Sequence, residues 1–221
     1  MKRRTSAASL AAAAAATSAL LLSGCSSDNH PGAAAVVGDR HISLASVQAQ
    51  VETVRAAQRA QPNGDQLLSG SGDLTRQTVS FLVYEEVLEQ AAADHGVRVT
   101  RRDVQEAREE TEDHLGGADV LREVALSPQS GIPVASDEQI DLVLRSQLLS
   151  TRLAQRLGPA NDPQAAQQRL IEVLSETAEE IGVQVNPRYG SWDAANVTLA
   201  EADQPWLHAE GGSRSPVTLD G

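Results

Sequence analysis

Val36-Val37-Gly38-Asp39-Arg40-His41-Ile42-Ser43 is the stretch on which the reading of this chain turns. Ala34 to Val37 is a short apolar run, Gly38-Asp39 a turn pair, and Arg40 to Ile42 a second short extended run. Ser43 stands where an N-cap belongs. Beyond it Leu44, Val47, Val51 and Val54 recur at spacings of 3, 4 and 3, one face of an amphipathic helix reaching about Ala60.

Working toward the C-terminus, residues 61–72 contain Pro62-Asn63-Gly64 and Ser69-Gly70-Ser71-Gly72 and read as a flexible loop. Asp73 is placed to cap a second helix. Val79, Phe81, Leu82, Val83 and Tyr84, continued by Val87, Leu88 and Ala91, make that helix apolar around much of its girth, the mark of a central, buried element. Phe81 and Tyr84 are read as core rather than as a surface for a bound partner. Gly96 is the expected stop. Thr100 to Asp103 resembles a capping box and opens a helix rich in Asp and Glu, read as a solvated arm ending at Gly116-Gly117. A short helix over residues 118–126 and a loop over 127–135 follow. Ser136-Asp-Glu-Gln139 is a second capping box, opening a long helix that Gly158-Pro159 closes. Asp162-Pro163 starts another helix, with Pro at its first position, and Gly182 ends it. Val183-Gln184-Val185 is a short strand. The fold class is therefore mainly α, with short strands at both ends that are expected to pair and close the helical domain.

The other end of the chain carries a processing signal. Lys2, Arg3 and Arg4 form a positive start, and Leu10 to Leu22 is an Ala/Leu-rich run too short and too weakly apolar for a membrane span. It ends in Leu22-Ser23-Gly24-Cys25, which resembles a bacterial lipobox: small residues precede a Cys whose thiol takes a diacylglyceryl group and whose freed amine takes a further acyl chain. The competing reading is an ordinary secretory signal with a Cys near its cleavage site. Cys25 is the only cysteine, which excludes a disulfide framework and a thiolate metal cluster. Residues 1–24 are thus expected to be a lipoprotein signal peptide and residues 25–33 a tether, followed by a helical domain over 34–193 and a disordered tail over 194–221.

The whole chain of 221 residues carries a net charge of −12. Residues 1–24 hold three of the 18 basic residues and none of the 30 acidic ones, so the remainder carries 15 against 30, a net charge of −15. Such a body excludes nucleic acid as a partner, because phosphate binding needs clustered Lys and Arg. It is also repelled by an anionic bilayer surface and should stand off it, held by lipid alone.

Two strings together point to a family. Val36 to Ser43 with its following helix resembles the start of the SurA N-terminal chaperone domain, which also opens PrsA-type foldases. Gly182-Val-Gln-Val-Asn186-Pro187-Arg188-Tyr189-Gly190-Ser191-Trp192-Asp193 resembles the segment that ends the chaperone module of PrsA-like lipoproteins. In foldases of that type a parvulin prolyl isomerase domain lies between the helical part and the final helix. Here only a few residues around Pro159 to Asn161 separate the corresponding helices. The resemblance implies a chaperone-like module without the isomerase, so no catalytic residue is carried over.

The residues of the second string have their own mechanics. Asn186-Pro187 ends a strand in a turn, Gly190 permits a tight bend, and Tyr189 and Trp192 bring two of five aromatics together. They read as a packed structural latch; ligand stacking is the alternative. Glu110 and His114 share a helix face but are two ligands only, and charge pairing or solvation explains them. His95 sits favourably at a helix C-terminus. No Gly-x-Ser-x-Gly elbow and no phosphate loop occurs.

The expectation is a non-enzyme with no cofactor, no metal and no small-molecule substrate. It would be lipid-anchored on the outer face of the bacterial cytoplasmic membrane and would bind unfolded or extended secreted polypeptides. A scaffold docking one specific protein partner is the alternative.

Overall fold

The computed structural model describes residues 32–158 and 162–200. Cys25, the segment expected to be a signal peptide and most of the expected tether lie outside the described residues.

Strands β1 (Ala33–Val37) and β2 (Arg40–Ser43) form the opening hairpin, with Val37 opposite Arg40 across a two-residue loop. Gly38 takes φ +54° there, a conformation glycine adopts without the steric cost of a Cβ. Strand β3 (Val183–Val185) lies antiparallel on the other side of β1, with Ala35 opposite Val185 and Val37 opposite Val183. The sheet order is β2-β1-β3. Ser43 caps α1 (Leu44–Arg59), its hydroxyl accepting the Ser46 backbone N–H at 3.0 Å.

Helix α3 (Leu74–Asp94) is the central element. Leu74, Val79, Val83, Val87 and Leu88 are fully buried. They share one core with Val47, Val51 and Val54 of α1, Leu149 and Leu153 of α6 (Asp137–Leu157), Leu170, Val173 and Leu174 of α7 (Pro163–Ile181), and the inner face of β1. Asp73 stands at the N-cap position of α3, but its side chain makes no capping hydrogen bond. Asp162 does cap α7, accepting from the Ala165 N–H at 2.9 Å. The two long helices meet closely at Gly158, where a Cβ would come within 2.5 Å of the Ala166 Cβ.

Three further expectations need correction. The loop expected over 61–72 contains a helix, α2 (Gly64–Gly70). It is fixed by the wholly buried Gln58, whose Nε2 donates to the Ser71 hydroxyl at 2.9 Å and to the Leu126 carbonyl at 3.0 Å. A buried amide must find such partners, and those partners hold the segment in place.

The acidic helix α4 (Arg101–Leu115) is docked rather than a free arm. Val104 enters a second, smaller core with Leu121 of α5 (Ala118–Ala125), Val134, and Ile140 and Leu144 of α6. Arg108 clasps α4 to α6, its Nη1 reaching Asp137 at 3.1 Å and its Nε donating to Asp141 at 2.8 Å.

Residues 194–200, expected to belong to a disordered tail, are ordered. Strand β4 (Ser191–Asp193) pairs with β5 (Thr198–Ala200), with Trp192 opposite Leu199. Val197 and Leu199 are buried in the main core. The Leu199 carbonyl accepts from Arg76 at 3.1 Å and its N–H donates to the Ser80 hydroxyl at 3.3 Å, so β5 is tied to α3. The turn is braced by the Asp193 carboxylate, which accepts from both the backbone and the side-chain amide of Asn196. Residues 201–221 lie outside the described residues.

Candidate functional site

Of the residues singled out in the sequence near the C-terminus, Asn186 is bonded to β1, and Tyr189 and Trp192 pack on the main core. The Asn186 backbone N–H donates to the Ala34 carbonyl at 2.9 Å and its side-chain amide to the Ala33 carbonyl at 3.3 Å, while its side-chain oxygen accepts from the Arg188 N–H at 3.2 Å. Pro187 opens a short 3-10 turn over Pro187–Tyr189. Tyr189 is buried in the main core and carries the Arg188 guanidinium 5.4 Å from its ring centroid, within cation–π reach. Gly190 takes φ +116°. Trp192 is half-buried against the main core, and its indole N–H is buried without a hydrogen-bond partner. The Asn186 hydrogen bonds tie the segment that follows β3 to β1.

Among the depressions that the described residues form, two bear on ligand binding. One, of about 630 Å³, lies where the β1–β2 turn meets α3 and is rimmed by Asp39, Arg40, Glu86, Glu89 and Gln90. The other, of about 480 Å³, is a groove between the start of α4 and the first half of α6. Its apolar lining is Val99, Val104 and Leu142; Thr100, Arg101, Gln105, Asp141 and Arg145 complete it. The sequence did not expose this groove, because Leu142 and Arg145 are contributed by a helix some forty residues downstream of Val99 and Val104.

One edge of the groove is braced by polar contacts. Thr100 caps α4 through a reciprocal capping box with Asp103. The Arg152 guanidinium of α6 donates to Asp103 at 2.7 Å. Arg152 and then the Thr100 hydrogen bonds hold the Asp103 carboxyl well below the usual carboxylate range. Arg108 likewise lowers the Asp137 carboxyl. The groove walls are therefore held by ion pairs, with apolar side chains between them.

Among the described residues, no group of three or more His, Cys, Asp or Glu gathers as a metal site would require. No helix among them is long and apolar enough to cross a membrane.

The opening hairpin, α1, the central α3 and the capped start of α4 fall within residues 1–113, which match the family model described as SurA-like N-terminal domain. The match covers half the chain. This protein belongs to the SurA-like N-terminal domain family. The chain has no significant match among curated proteins or among solved structures. The SurA-like match ends within α4, so the likeness of Asn186 to Trp192 to a module terminus rests on that string alone. As a SurA-like module the chain is of a chaperone type. Between α6 and α7 only residues 158–162 intervene, which leaves no segment for an inserted domain at that point.

Proposed function

We propose that this chain is a membrane-anchored, extracytoplasmic chaperone-like lipoprotein that binds unfolded or extended secreted polypeptides and has no isomerase activity. The observation that carries the reading is the α4–α6 groove in a chain of the SurA-like family. An extended client segment laid along it would place an apolar side chain over Val99, Val104 and Leu142. Thr100, Gln105 and Asp141 at its sides would offer hydrogen bonds to client backbone. A shallow groove with few apolar groups gives weak, sequence-tolerant binding, since little area is buried to offset the cost of ordering the client. The excess of 30 acidic over 18 basic residues favours basic client segments by long-range attraction.

Anchoring is assigned to Cys25. Two or three acyl chains give stable membrane attachment where one alone would be marginal. The β1–β3 pairing, with Asn186, Pro187, Tyr189, Gly190 and Trp192 behind it, acts as a latch that closes the helical module.

The test is aggregation of several unrelated unfolded proteins in the presence of the purified full chain. Suppression at near-stoichiometric amounts is the expected result. Capture of one specific partner with no such suppression would replace this reading with that of a docking scaffold. Cys25→Ala should move the protein out of the membrane fraction, and persistent anchoring of that variant would contradict the lipid attachment.

A further inference from the structure

Glu85 has no part in the binding scheme above, yet it is the most unusual charge-bearing residue of the described chain. It lies on α3 facing α6 and is 4% exposed. Neither carboxylate oxygen has a hydrogen-bond partner. Buried polar atoms are nearly always paired, so an unpaired carboxylate calls for a reason.

The surrounding charges supply one. Three glutamates of α3, Glu85, Glu86 and Glu89, crowd this side of the helix. Two arginines reach them from the packed elements. Arg40 of β2 takes Glu86 at 3.1 Å. Arg145 of α6 pairs with Glu89 and approaches Glu85 no closer than 4.0 Å. Ser146 of α6 is buried beside them and favours the ionised form of Glu85 without making a well-formed hydrogen bond. The elements α1 and α7 meet α3 through the apolar residues of the main core, and β5 meets it near Arg76 and Ser80, toward its N-terminal end. Glu85 is thus the carboxylate left without a cation of its own.

The same Arg145 also lines the α4–α6 groove, beside Asp141 and Leu142. The Arg145 side chain therefore links the groove lining to two carboxylates that compete for its guanidinium. We infer that Glu85 is a proton-operated switch between α3 and α6 that sets the position of Arg145 in the groove wall.

With Glu85 neutral, the burial is tolerated and Arg145 stays with Glu89. When Glu85 gives its proton to solvent, the new buried anion draws Arg145 inward, away from Glu89 and from the groove, and the contact between α3 and α6 adjusts. Burial first, then Glu89 and Glu86, push the Glu85 carboxyl up to about 7, against the opposing pull of Arg145. The change therefore falls near neutral pH, where a modest shift in acidity alters the groove.

The experiment is an NMR pH titration of the isotopically labelled full chain with no client added, so that its failure leaves the binding proposal standing. The Glu85 side-chain carboxyl carbon should titrate with a midpoint near pH 7. The Arg145 Nε–H resonance and the Val104 and Leu142 amides should shift with the same midpoint. Glu85→Gln should abolish the shift at the groove. Glu89→Gln, which alters a partly exposed residue and leaves Arg145 free for Glu85, should move the midpoint to lower pH; it carries the test should Glu85→Gln fail to fold. A Glu85 carboxyl that titrates in the ordinary glutamate range, groove signals that stay flat through neutrality, or an unmoved midpoint in Glu89→Gln would each overturn the switch.

Discussion

The molecule is held together in two different ways. Around α3, the body is closed by aliphatic side chains from α1, α6, α7 and β1 with almost no exposure to water. Around α4, a core of five buried residues is bordered by arginine–carboxylate clasps, Arg108 to Asp137 and Asp141, and Arg152 to Asp103. Apolar burial is non-directional and is not screened by salt, whereas partly exposed ion pairs are directional and weakened by it. The contrast assigns different tasks to the two regions. The α3 region supplies stability, and the α4 region supplies a wall that can give way locally while the body stays folded.

The largest expected effect falls on the first region. Leu88→Ala removes a fully buried side chain from the middle of α3 and should lower the unfolding free energy by about 3–4 kcal/mol. Urea unfolding measures it, and a loss close to zero would show that the core around α3 is not what stabilises the fold.

Next is the charge left at the boundary between the regions. The folded Glu85 carboxyl is raised from 4.5 to about 7, so the folded protein holds this proton more tightly than the unfolded chain. Its contribution is complete below the unfolded value and is lost as pH rises through the folded one. Between about pH 4 and pH 8 this amounts to up to roughly 3 kcal/mol. Glu85→Gln should lack that loss and unfold at higher urea than the parent chain at pH 8; equal midpoints at that pH would remove the unpaired carboxylate from the account.

A smaller and more local effect is expected from Arg108→Ala, which unclasps α4. Loss of its charged hydrogen bonds should cost roughly 2 kcal/mol and make residues 101–115 the first site of limited proteolysis. High salt should reproduce part of that sensitivity in the parent chain and none of the Leu88→Ala defect. Cleavage starting instead within α3 would erase the distinction between the regions.

The same contrast explains what could be read in the sequence. The α3 region was legible because its information is local. Period-3.6 apolar spacing, the Ser43 cap, the Gly96 stop and the Gly38 turn each lie within one element. The helix α2 is not legible because its Gly and Ser content signals a loop, while what fixes it is a buried Gln58 reaching Ser71 and Leu126, far apart in the chain. Strand β5 is not legible because three residues are too few to show alternation, and its anchors are Arg76 and Ser80 on α3. The acidic α4 looked like a free arm because its partners, Asp137, Asp141 and Arg152, belong to another helix. The groove it forms with α6 is invisible for the same reason. In each case the missing information was a side-chain pairing across a long sequence separation.

The central claim is that client polypeptide lies in the α4–α6 groove. A photo-crosslinking amino acid at Leu142, compared with one at the exposed Ile171 of α7, tests it most directly with an unfolded client added to the full chain. Strong client adducts from position 142, competed away by excess unlabelled client and absent from position 171, are the predicted result. Adducts of equal yield at both positions, or none at 142 while the client is demonstrably bound, would contradict it.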